Sequence, residues 1–207
     1  MTENIWIAQS DLPDELYVRF QRVSEVAWDI ETTGLDFTGG RIGTVQLHSP
    51  KVGSVLVQVT DVPPTNLCLL LSDQRVRKVF HHAPFDLRFM LAQWSCWPQN
   101  VACTKIASKI IDPKADSKDH SLRPLLARYQ GVQIDKSQQV SDWKASELSE
   151  DQIEYAFNDV RYLLDLLGTL MKTIDNLGLS DIYGKCLDFL PTRVALDVGG
   201  WPDVYLY

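Results

Sequence analysis

An α/β domain, with a mixed sheet covered by helices, is the fold class the sequence predicts. Three observations carry it. Strand candidates crowd the first third of the chain, strand and helix signals alternate through the middle, and the last third is helical throughout.

The elements follow in order. A short strand is expected at Ile5–Ala8. The next helix takes Ser10 or Asp11 as its cap and Pro13 in its first turn, with Leu16, Phe20 and Val23 recurring on one face. Three strands come next: VAWDI (26–30), RIGTVQLH (41–48) and SVLVQV (54–59), separated by the turn-rich TTGLDFTGG and SPKVG. Spacings this short fit antiparallel hairpins. In the second strand Ile42, Thr44, Gln46 and His48 alternate with Gly43, Val45 and Leu47, so one face is polar. A helix near 64–72 precedes the strand VRKVFH (76–81), and another helix opens near Pro84. A short strand at Val101–Cys103 leads to helices near 104–111 and 121–130. The polar stretch DPKADSKDH (112–120) reads as a mobile surface loop. Long helical segments occupy about 150–176 and 179–196. The aromatic tail GGWPDVYLY, with Trp201, Tyr205 and Tyr207, either docks on the chain's own core or meets another subunit. No repeat, low-complexity tract or linker interrupts the run, so residues 1–207 are expected to form a single domain.

With 45% hydrophobic and 23% charged residues, the composition is that of a globular protein able to bury a core of its own. Cys68, Cys96, Cys103 and Cys186 form no CxxC pair and no His cluster sits at zinc spacing, so they are expected to be reduced thiols. No basic segment leads an apolar run at the N-terminus, and stretches such as LCLLL (67–71) are too short to span a bilayer. A cytoplasmic protein without membrane contact is the expectation. The formal net charge of −7 lacks the basic signature of proteins that track long nucleic acid, and it argues for a short substrate or for local basic patches.

The informative residues are acids. Asp29 and Glu31 in VAWDIETTGL share one face of a strand at the point where it runs out into a turn, among apolar Val26, Ala27, Trp28 and Ile30. Ionised groups this close to a core need a partner: a cation, or an Arg or Lys. Asp86 in HHAPFDLRF falls in the first turn of a helix, where an acid also complements the helix dipole. Tyr155 and Asp159 in YAFND are four apart on a helix and stand one above the other. Hard divalent cations take oxygen ligands, and phosphoryl transfer is often run by a pair of them.

In order, DIETTGL (29–35), HHAPFD (81–86) and YAFND (155–159) resemble the three motifs of the ribonuclease D group of DEDD 3′→5′ exonucleases, in the Tyr-containing branch. The stretch 120–166, above all DKSQQVSDW (135–143), is similar as well, so the resemblance covers about 25–170. The ending CLDFLPTRVALDVGGWPDVYLY (186–207), within the C-terminal helical segment and tail at 179–207, resembles the nanoRNase C type of oligoribonuclease. HHAPFD matches the ribonuclease D pattern at least as well as that of the nanoRNase C type.

The resemblance implies a ribonuclease H-like fold with a central mixed five-stranded sheet flanked by helices. It implies two divalent cations, Mg²⁺ or Mn²⁺, with Asp29, Glu31 and Asp159 on the first, Asp29 bridging to the second, and Asp86 acting on that second ion directly or through water. Tyr155 would orient the attacking water, and the products would be nucleoside 5′-monophosphates. For substrate binding it points to Leu35 as an apolar wedge against the terminal base, with Thr32 and Gly34 offering contacts to the 3′ nucleotide. His81 and His82 would reach phosphate, and Gln139, Ser141 and Trp143 would contribute from the DKSQQVSDW stretch, with core packing as the other reading of Trp143. The implied partners are di- and short oligoribonucleotides and further copies of the chain, in a ring. Two other readings stand beside this one: a DNA-directed or tRNA-trimming exonuclease, acting on single- or double-stranded DNA or on tRNA, and a catalytically silent nucleic-acid-binding module.

Overall fold

The computed structural model describes residues 4–134, 141–201 and 203–206. Strand β1 (Ile5–Ser10) and helix α1 (Asp14–Phe20) open the chain, followed by β2 (Glu25–Thr32), β3 (Ile42–Ser49) and β4 (Gly53–Val59). Then come α2 (Thr65–Leu71), β5 (Arg77–Phe80), α3 (Ala83–Trp94), β6 (Val101–Cys103) and α4 (Thr104–Ile111). Helices α5 (Leu122–Gln130), α6 (Glu150–Arg161), α7 (Leu163–Asn176) and α8 (Ser180–Val198) complete it.

The sheet has six strands in the order β1-β4-β3-β2-β5-β6, one more than the five that the family resemblance implies. The additional strand is β1, which runs parallel to β4 at one edge. β2, β3 and β4 form the expected antiparallel meander, and β5 and β6 continue from β2 in parallel. The parallel crossovers bring the C-terminal ends of β2 and β5 side by side, the position where open α/β sheets place their sites.

Both faces of the sheet are covered. Trp28, Phe20, Leu47 and Phe80 belong to a core that also takes in residues of α1, α2, α3 and α8. Ala27, Leu56, Val79 and Ala102 belong to a second core with α4 to α7. The polar side of β3 is therefore under helix α6 and not in water: Thr44 and Gln46 are fully buried and His48 nearly so. Gly43 runs so close to Trp143 that a side chain at 43 would collide with its backbone.

Four local expectations are corrected. Asp11 does not cap α1; its carboxylate accepts from the N–H groups of Asn66 (2.8 Å) and Leu67 (3.1 Å), capping α2 instead. The helix expected over 150–176 breaks at Tyr162 into α6 and α7. The polar stretch 112–120 ends in a 3-10 turn, Ser117–His120, whose buried His120 bonds the Ser108 hydroxyl at 2.8 Å. Cys68 and Cys96 are joined in a disulfide that ties α2 to the end of α3, while Cys103 and Cys186 are free thiols.

The tail does not dock into the core: Trp201 is 60% and Tyr205 75% exposed, with Tyr205 resting edge-on against Phe189. Tyr207 lies outside the described residues. No helix among the described residues is long and apolar enough to cross a membrane.

Candidate active site

Strand β2 builds the first half of the site. Its alternation buries Val26, Trp28 and Ile30 toward one core and turns Asp29 and Glu31 to the α6 side. The β2–β3 register slips between Glu31 and Thr32, a bulge that bends the strand as it leaves the sheet. Helix α6 supplies the second half. Ser149 and Gln152 close a capping box at its start, with the Ser149 hydroxyl accepting from the Gln152 N–H (3.2 Å) and the Gln152 side chain accepting from the Ser149 N–H (2.9 Å). So anchored, α6 brings Tyr155 and Asp159 over β2 and β3.

Carboxylate oxygens of Asp29, Glu31 and Asp159 all lie within 4.8 Å of one another. Asp86, only 2% exposed, enters from the first turn of α3, where N–H groups of its own backbone and of Ile30 hydrogen-bond its carboxylate. The crowding has an electrostatic cost. Burial first, then the charges of Asp86, Asp159 and Glu31, push Asp29 well above the usual carboxylate range. Burial and the charges of Asp159 and Asp86 push Glu31 up to about 9. Burial likewise raises Asp86, with Asp159 adding to it and the two backbone N–H groups opposing it. Burial, the charges of Asp159, Glu31 and Asp29, and a hydrogen bond with Asp159 hold the Tyr155 phenol far above its ordinary value. Such a set of oxygens, crowded together and raised in proton affinity, suits hard divalent ions.

A cleft of about 210 Å³ opens on Asp29, Tyr155 and Asp159, with His81, His82, Lys105, Ser121, Leu122 and Ile134 on its walls. Larger hollows lie elsewhere, one of about 550 Å³ beside β6 and α8 and one of about 650 Å³ behind the 33–41 turn, but neither gathers the acids. Chemistry and not volume selects the site.

The other expected residues divide. His81 is in the cleft, its Nδ1 2.8 Å from the buried Thr104 hydroxyl. His82, in the left-handed conformation at φ 69°, stacks on Phe85. Partial burial of its ring, then the charges of Lys105, Arg88 and Lys109, lower it to about 4, so near neutral pH it is a neutral imidazole and not a cation. Leu35 is 87% exposed at the tip of the turn after β2. Thr32 spends its hydroxyl on the Gly34 carbonyl at 2.7 Å, which shapes that turn from within. Trp143 corrects the substrate-contact reading: it is 1% exposed and packs under the Tyr155 ring at 5.9 Å, a core residue that backs the tyrosine. Ser141 is half-buried and is not among the cleft walls, and Gln139 lies outside the described residues.

Two groups escaped the motif reading. Lys105, at the second position of α4, reaches the cleft, and its place just past a strand end was the available signal. Gln46 pairs across from Asp29 on β3 and donates to the Thr44 hydroxyl at 2.6 Å in a fully buried setting. Its polar alternation was visible, but not which strand it would face.

Comparison with known proteins agrees with this geometry. A family model for 3′-5′ exonucleases matches residues 4–175. DNA polymerase I of Aquifex aeolicus is 33% identical over 160 residues, which are 76% of this chain and 26% of that protein. Ribonuclease D of Nitrobacter hamburgensis is 30% identical over 156 residues, 74% of this chain and 40% of that protein. The chain thus spans less than half the length of these curated relatives. Among solved structures, Brucella melitensis NrnC is 35% identical with a TM-score of 0.90, and 98% of each chain is covered. That protein has also been solved bound to pGG and with bound Mg²⁺.

Proposed function

The chain belongs to the 3′-5′ exonuclease family, and from that premise we propose that it releases nucleoside 5′-monophosphates from the 3′ ends of di- and short oligoribonucleotides. Asp29, Glu31, Asp159 and Asp86 would hold two divalent cations, Mg²⁺ or Mn²⁺. The observation that carries this reading is the convergence of the acids: three carboxylates within 4.8 Å of one another, next to a buried fourth on α3.

When bound, the cations acidify the attacking water and stabilise the departing O3′. The residues do the rest. Asp29 and Glu31 arrive on one strand and Asp159 on one helix, so their spacing is set by the packing of α6 on the sheet. Asp86 keeps its carboxylate aimed by the Ile30 N–H. Tyr155, held as a neutral phenol, donates and accepts hydrogen bonds and does not serve as a base; it fixes the direction of the attacking water, and Trp143 behind it fixes the ring. Leu35 presses on the terminal base, and the backbone of Thr32 and Gly34 meets the 3′ nucleotide. Neutral His82, with His81 and Lys105, contacts phosphate oxygens.

Short substrates are favoured by the net charge of −7, by the small cleft, and by the pGG complex of NrnC. A homo-oligomer, ring-shaped by the family resemblance, fits the exposed Trp201, Tyr205 and Leu206. The cytoplasm is the setting this reading assumes.

The test uses a 5′-labelled diribonucleotide and an RNA and a DNA of about twenty nucleotides, each with Mn²⁺, Mg²⁺ or EDTA. Metal-dependent loss of the dinucleotide well ahead of both longer strands is expected. Faster loss of the DNA would instead favour the DNA-directed reading, which the likeness to DNA polymerase I motivates.

A further inference from the structure

The turn between β2 and β3 holds Leu35 out in solvent and contains Gly34, Gly39 and Gly40, a composition that leaves a free chain loose. It is not loose here, because α3 grips its returning limb. Gln93, in the last turn of α3, donates from Nε2 to the Gly40 carbonyl at 3.0 Å and accepts the Ile42 N–H on Oε1 at 3.2 Å. The two contacts fix the orientation of the amide, since the flipped side chain would set donor against donor and acceptor against acceptor. One turn earlier on α3, Phe89 meets Phe37 edge-on at 6.5 Å, and the Arg88 guanidinium lies 5.8 Å from the Phe37 ring centre. Gly40 passes so close that a Cβ would stand 3.2 Å from the Phe89 ring and 2.9 Å from the Asp36 carbonyl.

We infer that Gln93 is a positioning residue for substrate choice, clamping the 33–40 turn so that Leu35 stands at a fixed position against the terminal base. One helix then sets both the fourth carboxylate, Asp86 in its first turn, and the wedge, through Gln93 in its last. A glutamine suits the task because it alone offers a donor and an acceptor at this reach without charge. The inference rests on the wedge role of Leu35 proposed above.

Steady-state kinetics on two substrates tests it: a 5′-phosphorylated diribonucleotide, and bis(p-nitrophenyl) phosphate, an ester with no nucleobase for the wedge to press on. Gln93→Met keeps bulk and removes both hydrogen bonds. It is expected to raise KM for the dinucleotide about tenfold, to leave kcat within about twofold, to spare the ester, and to add nothing to Leu35→Ala in the double variant. An unchanged dinucleotide KM, an equal loss on both substrates, or effects that add would overturn the clamp. If Leu35→Ala alone changes neither substrate, the wedge reading fails and takes the clamp with it. If Leu35→Ala acts and Gln93→Met does not, the clamp alone is wrong. Should Gln93→Met not fold by circular dichroism, Gln93→Glu replaces it, keeping the acceptor and losing the donor, with the same pattern expected at smaller size and the same contrary outcomes counting against it.

Discussion

On the side of the sheet covered by α1, α2, α3 and α8, the buried residues Phe20, Trp28, Leu47 and Phe80 are apolar, and the one lysine, Lys78, sends its ammonium out to the Asp73 carbonyl. On the side covered by α6, small Ala27 and Ala102 sit beside Asp29, Glu31, Thr44 and Gln46. The first face gains from the apolar groups it buries, while Lys78 bears a desolvation cost that lowers it to about 8. The second gathers carboxylates whose proton affinities are raised by burial and by one another, which means that folding without cations works against them. The scaffold's stability is thus concentrated on one face of the sheet and the chemistry's strain on the other, with Asp86 on α3 as the strained group carried by the apolar side.

The largest expected effect falls on the strained face. Asp29→Asn is expected to lower turnover by about a thousandfold or more, since it removes a carboxylate from the centre of the set, while raising the melting temperature of the ion-free protein. Turnover assays and calorimetry in EDTA check both halves, and a fall in melting temperature would break the contrast between the faces. Next, Phe20→Ala on the apolar face should cost about 3–5 kcal/mol in denaturant unfolding, with KM and the metal dependence of the surviving folded protein unchanged. Loss of metal binding there would mean that the faces are coupled.

The smallest effect is one of slope. For an acid whose folded pKa is raised, the stabilising contribution is full below the unfolded value and is lost as pH rises toward the folded value. For Glu31 that window runs from 4.5 up to about 9. His82, lowered to about 4, opposes this trend only below its ordinary 6.5, and Lys78, held at about 8, matters only above that. Between about pH 7 and 8, therefore, the melting temperature in EDTA should fall as pH rises, and Mg²⁺ or Mn²⁺ should flatten or reverse the slope. A rising slope in EDTA would contradict the assigned burial of the acids.

Much of this organisation was legible along the chain. Period-2 alternation placed Asp29 and Glu31 on one face, and the i, i+4 spacing placed Tyr155 over Asp159, because both patterns are local. What could not be read was whatever depends on two elements meeting. Asp11 caps α2 because the α1–α2 packing brings Asn66 and Leu67 to it, and no spacing in the sequence states that. Cys68 and Cys96 pair across 28 residues with no motif to mark them. Trp143 favoured a core place over a base platform without excluding the platform, and its full burial against Tyr155 and Gly43 decided it. Lys105 and Gln46 join the site through the sheet's topology, which a linear reading reaches last.

The acid cluster draws on β2 near the beginning of the chain and on α6 well past its middle. Contacts of such separation must meet a loop-closure cost before they reward folding. The oxygens that suit a divalent ion therefore come together only where β2 and α6 have met. An ion held there would act as a latch, closing on a molecule whose helix α6 is already seated. A half-made chain, by the same token, carries no assembled cluster for an ion to occupy.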